Sequence, residues 1–193
     1  MTDESLPFWR SRSAAGLALA IIAIAALIER TMGRVWMCSC GTVKFWEGNI
    51  WSNENSQQIT DWYTFSHLIH GFLFYFFLWL IGRRWPIGLR LVLAVLLEAS
   101  WEVLENSPII IDRYRTSTIS LGYNGDSILN SMSDITAMIV GFYAAMKLPA
   151  WLTVVLALAM ELVVGYLIHD NLTLNVIMLV WPIEAIKQWQ AGG

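Results

Sequence analysis

Long apolar runs recur along the chain and alternate with short polar segments. The runs close to the ~20 residues that a transmembrane helix needs cover residues 14–30, 62–81, 89–105, 127–146 and 150–168. A sixth stretch, 172–189, is interrupted by Pro182, so it is either a tilted helix that reaches Trp189 or a re-entrant segment. Glu29 and Arg30 end the first run, where their side chains can snorkel to the interface. The pattern predicts an all-α membrane helical bundle, a single domain over 1–193 with five or six transmembrane helices and an outer loop at 31–60.

The composition agrees with this class. Hydrophobic residues make up 56% of the chain and charged residues only 14%, against about a quarter in soluble domains. This content excludes intrinsic disorder, and the net charge of −3 excludes a nucleic-acid binder. Two cysteines cannot build a disulfide scaffold. Cys38 and Cys40 form either a small, strained disulfide ring or two uncoupled thiols. Membrane lipids are therefore the expected surroundings.

Cationic residues indicate the orientation. Arg83, Arg84 and Arg90 surround one short loop, and such clusters favour the cytoplasmic side of a membrane. With six crossings, both termini then lie inside, and so do Lys147 and Lys187. The loop at 31–60 lies outside.

Polar residues inside the apolar runs all fall toward the end of the bundle that holds this outer loop. The set comprises the three histidines and eight of the fifteen acidic residues: His67, His70, His169, Asp61, Glu98, Glu102, Glu105, Asp126, Asp134, Glu161 and Asp170. The other halves of these helices carry almost no charge. This bias to one leaflet does not depend on which leaflet faces out.

Three of the helices each present a polar stripe. The arcs are about 60° for Glu98, Glu102 and Glu105, about 60° for His67 and His70, and about 80° for Asp126, Asn130 and Asp134. A charged side chain near the bilayer centre costs roughly 2.5–3.5 kcal/mol. We therefore expect the stripes to face one another or a shared wet cavity.

Several motifs over nearly the whole chain resemble an uncharacterised family of small bacterial inner-membrane proteins. The motifs lie at 38–44, 61–71, 98–108, 113–115, 125–130 and 170–175. The resemblance implies a multi-pass location in the bacterial cell inner membrane, and it implies no activity.

A second resemblance covers about residues 61–146 and is to VanZ-like and YjdF-like membrane proteins. The shared order is a helix with Asp and His, a helix with paired Glu, and a helix that opens with Gly-Asp. In this chain these are Asp61 with His67 or His70, residues 98–105, and Gly125 with Asp126. The second histidine and the Cys-x-Cys segment depart from the VanZ-like pattern.

The first functional hypothesis is an intramembrane enzyme that acts on a lipid or lipid-linked substrate through a divalent metal ion. Imidazole nitrogens suit Zn²⁺ and carboxylate oxygens suit harder ions, and a bound ion can activate water or polarise a phosphoryl oxygen. The predicted ligands are His67, His70, Glu98 and Glu102. Crowding among the acids of its stripe singles out Glu102, and its depth makes His70 the expected partner.

Further residues complete this hypothesis. The predicted catalytic residues are Glu102, Asp126 and Asp134, as ligands or general bases. Arg113 and Arg115, just beyond the third helix, are predicted to clamp an anionic headgroup, with Asn130 as a further substrate-binding residue.

Two other classes remain open. In an accessory subunit of a membrane complex, the stripes are hydrogen-bond networks between helices. In a small-solute binding protein or carrier, they line a vestibule. Because the far half of the bundle is apolar, transport requires a homo-oligomer or a large rearrangement. Stoichiometric bound metal in purified protein favours the enzyme.

Overall fold

A computed structural model of the chain describes residues 11–118, 120 and 122–192, apart from the side chain of Ser11. These residues form helices and loops, and their one β-bridge joins Trp46 to Thr60. The helices are α1 (Ser11–Thr31), α2 (Thr64–Ile81), α3 (Ile87–Glu105), α4 (Pro108–Ser117), α5 (Ile128–Lys147), α6 (Ala150–Ile168), α7 (Leu172–Val180) and α8 (Glu184–Gln190). The all-α prediction is confirmed.

Four helices of the described chain are long and apolar enough to cross a membrane: α1, α2, α5 and α6. The α3 helix has a similar length but carries four charged residues, Arg90 and three glutamates, which is more than a lipid-facing span of this length usually holds. It packs against α1, α2 and α5 inside the bundle. Tyr166 of α6 is 81% exposed, as expected of a side chain that faces lipid.

Local sequence explains where several helices begin. Proline cannot donate a backbone hydrogen bond and is tolerated in the first turn, and Pro86, Pro108 and Pro149 stand at the starts of α3, α4 and α6. The Ser127 hydroxyl caps α5 by accepting from Asn130 N at 3.1 Å. The Asn171 carboxamide caps α7 by accepting from Leu174 N at 2.8 Å.

The closest helix contact is a backbone crossing of α2 and α5. A Cβ atom added to Gly71 would lie 2.1 Å from Met138 O, and one added to Gly141 would lie 2.2 Å from Leu68 O. Only glycine fits at such a crossing. The helix faces that carry His67 and Asp134 are thereby held close together.

The outer segment, residues 32–63, lies over one end of the bundle, which we call the loop end. It caps α5 with backbone oxygens: Ser127 N donates to Ser56 O, Ile128 N to Val35 O and Leu129 N to Trp36 O, at 2.9–3.0 Å. Donors of this kind have no partner within their own helix. The segment is thus tied to the first turn of α5.

Residues 172–189 differ from the single sixth helix that was one of the two expectations. Pro182 lacks the N–H that a continuous helix needs, and the chain breaks into α7 and α8 there. Gln190 Nε2 donates to Asp170 Oδ1 at 3.0 Å, and the His169 ring lies 4.8 Å from the Trp189 ring. The segment therefore returns to the end at which it began, which agrees with the re-entrant alternative.

The structure also corrects two expectations about charged residues. Lys187 does not share the end of the bundle that holds Lys147, because its Nζ donates to Thr116 O of α4 at 2.9 Å, at the loop end. Glu29 does not snorkel: its side chain is buried in the bundle, and neither carboxylate oxygen has a hydrogen-bond partner.

Candidate functional site

Two histidines of α2 meet the glutamates of α3 at the loop end. His67 Nδ1 lies 2.5 Å from Glu98 Oε1, and His70 Nδ1 lies 3.1 Å from both oxygens of Glu98. His67 Nδ1 also lies 3.4 Å from Glu102 Oε1. The expected stripes of α2 and α3 therefore face each other.

The partner expected for Glu102 is wrong. No nitrogen of His70 lies within 4.0 Å of Glu102 among the described contacts, and the imidazole beside Glu102 is that of His67. The reason is geometric: His70 and Glu98 share one level of the α2–α3 interface, and His67 lies one helical turn nearer to the loop end, between Glu98 and Glu102.

The α5 stripe closes the site from the other side. Asp134 Oδ2 lies 3.9 Å from His67 Nε2, and its Oδ1 accepts a hydrogen bond from Thr64 Oγ1 at 3.1 Å. His67 therefore has a carboxylate on each face, from α3 and from α5. Asn130 points to the outer segment instead, where its Nδ2 donates to Gln58 O at 3.0 Å.

Asp126 lies just before α5 and makes three hydrogen bonds with two neighbours. It accepts hydrogen bonds from Asn106 Nδ2 at 3.2 Å and from Tyr123 OH at 3.0 Å, and its backbone N–H donates to Asn106 Oδ1 at 2.7 Å. Burial raises the pKa of Asp126 to about 7, against the opposing effect of the Tyr123 hydrogen bond. A carboxyl group with this pKa can exchange a proton near neutrality, as general acid–base chemistry needs.

Glu102 is the unusual member of the site. The side chain is 0% exposed, and neither carboxylate oxygen has a hydrogen-bond partner. Among the described residues, no lysine or arginine nitrogen lies within 4.0 Å of a carboxylate oxygen of Glu98, Glu102 or Asp134. Buried polar groups normally form hydrogen bonds, so a buried carboxylate that has none, and only His67 at 3.4 Å, calls for a further partner.

Two sets of side chains have the spacing of metal ligands. One is His67, His70 and Glu98, and the other is His67, Glu102 and Glu105; within each set the ligand atoms lie within 4.8 Å of one another. His67 belongs to both. A third set, Cys38, Cys40 and Glu54, lies in the outer segment, where the two cysteines are joined in a disulfide.

A cavity of about 660 Å³ opens beside this cluster at the loop end. Its floor includes His67, Glu105, Asp126 and Asp134, and its roof is formed by the outer segment. On another wall, the Tyr114 hydroxyl lies 2.8 Å from Glu105 Oε1 and 2.9 Å from Asn175 Oδ1.

The predicted headgroup clamp is engaged elsewhere. Arg113 Nε donates to Leu179 O at 2.8 Å and so holds α7 against α4. Arg115 Nε donates to Tyr123 O at 2.6 Å. Among the described residues, the arginine in the cavity wall is Arg34, which follows α1 and lies outside any periodic pattern in the sequence.

Comparison with known proteins places the chain in a family. The family described as "Protein of unknown function (DUF2585)" matches residues 29–192. The chain belongs to this family. A UPF0314 protein of Agrobacterium fabrum is 54% identical over 192 residues, which cover 98% of this chain and 97% of the relative. No solved structure matches the chain.

Other relatives extend the match. A UPF0314 protein of Rhizobium johnstonii is 57% identical and covers 90% of this chain and 89% of its own length. One from Paracoccus denitrificans is 49% identical over 99% of this chain and 95% of its own length. The resemblance to an uncharacterised bacterial family is thus confirmed. The resemblance to VanZ-like proteins is not shown by these relatives and stays a prediction.

Proposed function

We propose that this protein is a multi-pass protein of the bacterial inner membrane that binds a divalent transition-metal ion at the α2–α3 interface. The ion serves an enzymatic reaction on a lipid or lipid-linked substrate at the periplasmic face. The ligands are His67, His70 and Glu98, whose ligand atoms lie within 4.8 Å of one another, with Glu102 beside His67 as the fourth. The observation that carries the proposal is the unpartnered, fully buried carboxylate of Glu102, 3.4 Å from His67.

Electrostatics support a bound cation. Glu98, Glu102 and Asp134 surround His67 without a lysine or arginine nitrogen within 4.0 Å among the described residues. Ionised carboxylates this close repel one another unless a proton or a cation neutralises them. A mixed set of imidazole nitrogens and carboxylate oxygens fits Zn²⁺, and also Mn²⁺ or Fe²⁺.

The cavity beside the cluster also supports an enzymatic role. An ion at this place can polarise a phosphoryl or carbonyl oxygen and lower the pKa of bound water to about 7. Asp134 and Asp126 lie on the same cavity floor, where either can accept a proton. Because the cavity lies at one end of a bundle whose helices are exposed to lipid, a membrane lipid is the most accessible substrate.

A structural subunit is the second candidate, and Glu98 favours it. Both of its oxygens lie 3.1 Å from His70 Nδ1, and one lies 2.5 Å from His67 Nδ1, so Glu98 is satisfied without an ion. A carrier is less well supported. On the other side of the histidines lies a fully buried apolar core with Val95, Ile135 and Met138, which offers no polar path.

The deciding experiment is metal analysis of the protein purified in mild detergent. We expect about one Zn²⁺ or Mn²⁺ ion per chain, and at least a tenfold loss of metal affinity in Glu102→Gln and His67→Ala. Glu47→Gln is the matched control, because Glu47 binds Lys44 in the outer segment and lies away from the cluster. Absence of metal from the parent after incubation with both ions, with no rise in its thermal midpoint, contradicts the metal site and favours the structural subunit.

A further inference from the structure

Arg34 is the single cationic residue among the described residues that line the cavity. We propose that Arg34 binds the phosphate group of the substrate, and that the substrate is a phosphate-bearing lipid. This inference rests on the proposed function, because it names the substrate class of the same site. It assigns the anion-binding role to a residue at the end of α1 in place of the α4 arginines.

The backbone fixes where Arg34 stands. Its N–H donates to Glu29 O at 3.0 Å, and its own carbonyl accepts from Arg30 Nη1 at 3.2 Å. The guanidinium reaches across to the segment before α5, where Nη1 donates to Asn124 O. Arg34 therefore joins the end of α1 to the segment that carries Asp126.

The guanidinium lacks a full set of partners. Its Nε is buried and has no hydrogen-bond acceptor. No carboxylate oxygen of the described residues lies within 4.0 Å of its nitrogens. A buried N–H of a cation without an acceptor costs free energy, and a bound anion removes that cost. Arginine presents its donors in a fork that matches two oxygens of a phosphate.

Gly125 keeps the space for this guanidinium. Its φ of 84° lies in the left-handed region that favours glycine, and a Cβ atom added there would lie 2.1 Å from Arg34 Nη1. Because Gly125 has no side chain, the Arg34 guanidinium can pack directly against the backbone next to Asp126. The cavity wall is shaped around a guanidinium that has no carboxylate oxygen of the described residues within 4.0 Å.

The floor of the cavity carries acidic residues, which disfavour an anion. Glu105, Asp126 and Asp134 on the floor repel a phosphate, so the anion needs both Arg34 and a cation at His67. Phosphate binding should consequently depend on bound metal.

The test measures binding of dihexanoyl phosphatidic acid, a short-chain phosphate lipid, to the Zn²⁺-loaded protein in detergent. Inorganic phosphate and neutral dihexanoylglycerol are the comparison ligands. We expect the phosphatidic acid to bind, the neutral lipid to bind at least tenfold more weakly, and EDTA treatment to abolish the difference. Inorganic phosphate that binds as tightly as the lipid supports Arg34 as a phosphate site and contradicts the lipid as its source.

Variants assign the effect to Arg34. Arg34→Gln should lose at least tenfold in affinity for phosphatidic acid, and Arg34→Lys should lose less. Arg113→Gln is the matched control, because that guanidinium binds α7 carbonyls, and it should retain parental affinity. Metal content and thermal midpoint of each variant are measured alongside. Parental affinity in a folded, metal-loaded Arg34→Gln overturns the inference and leaves the metal site standing, whereas loss of metal in the parent overturns the proposed function itself.

Discussion

Gly71 of α2 and Gly141 of α5 lie backbone against backbone: a Cβ atom added to Gly141 would lie 3.2 Å from the Cα of Gly71. The crossing lies one helical turn from His67, on the side away from the outer segment. The position of His67 against Asp134 across the α2–α5 interface therefore depends on two residues without side chains.

The first prediction concerns this crossing. Gly71→Ala and Gly141→Ala should each destabilise the protein by about 1–3 kcal/mol, because the added methyl group meets backbone atoms that cannot rotate away. The measurement is thermal unfolding in detergent, followed by circular dichroism. Gly16→Ala in α1 is the control, since nothing lies within 4 Å of its added Cβ and it should be neutral or stabilising. Equal midpoints for the three variants would contradict the close crossing.

The second prediction concerns the side of the membrane on which the C-terminus lies. Because Gln190 binds Asp170, we expect that the C-terminal hairpin does not cross the membrane, and that α8 lies on the side of a five-span bundle opposite the start of α1. Alkaline phosphatase fusions after Gly82, Thr116, Lys147 and the last residue should be inactive, active, inactive and active. An inactive C-terminal fusion, with the other three as expected, restores a sixth crossing.

The third prediction uses the cysteines as markers. The chain has two, Cys38 and Cys40, and they are joined in a disulfide in the outer segment. A membrane-impermeant maleimide added to intact spheroplasts should label them after treatment with an impermeant reductant, and should label nothing before it. A Cys38→Ser, Cys40→Ser variant supplies the blank. Labelling that requires membrane disruption would place the loop end in the cytoplasm.

The fourth prediction is a pH dependence that arises at Asp170, between α6 and α7. Burial raises the pKa of Asp170 from its ordinary 3.8 to about 6. The folded protein therefore holds this proton more tightly than the unfolded chain does. The stabilisation is complete below about pH 4 and is lost as the pH rises through 6, by up to about 3 kcal/mol.

The variant that tests it is Asp170→Asn, which mimics the protonated acid and keeps an oxygen acceptor for Gln190 Nε2. It should be more stable than the parent at pH 8 and no more stable at pH 4, in thermal unfolding across that range. Asp112→Asn is the control, because that side chain is 73% exposed. A stability difference between pH 4 and pH 8 that is as large in Asp170→Asn as in the parent contradicts the assignment.

Much of the helical framework could be predicted from the sequence. The bounds of α6 were predicted at residues 150–168, because Pro149 precedes the apolar run and a polar pair follows it. The meeting of the α2, α3 and α5 stripes was also predictable, since a lipid-facing charge is too costly to leave exposed. These are properties of each helix taken alone.

Pairing across helices could not be predicted in the same way. Periodicity gives the face that a residue occupies but not the rotation of one helix against the next, which here follows from the glycine crossing. That rotation decides that Glu102 faces His67 and not His70. Arg34 lies in an irregular segment without periodicity, and Glu29 lies at a helix end where snorkelling was the simpler expectation. The surroundings of both side chains could be established only from the three-dimensional structure.

The carbonyl oxygens of Val35, Trp36 and Ser56, which accept from the first amides of α5, make the roof of the cavity part of a helix terminus. Lifting the outer segment would unfasten three hydrogen bonds, each worth about 0.5–1.5 kcal/mol, and would fray the turn that carries Asn130. Any displacement of the cavity roof is therefore coupled to the order of the first turn of α5.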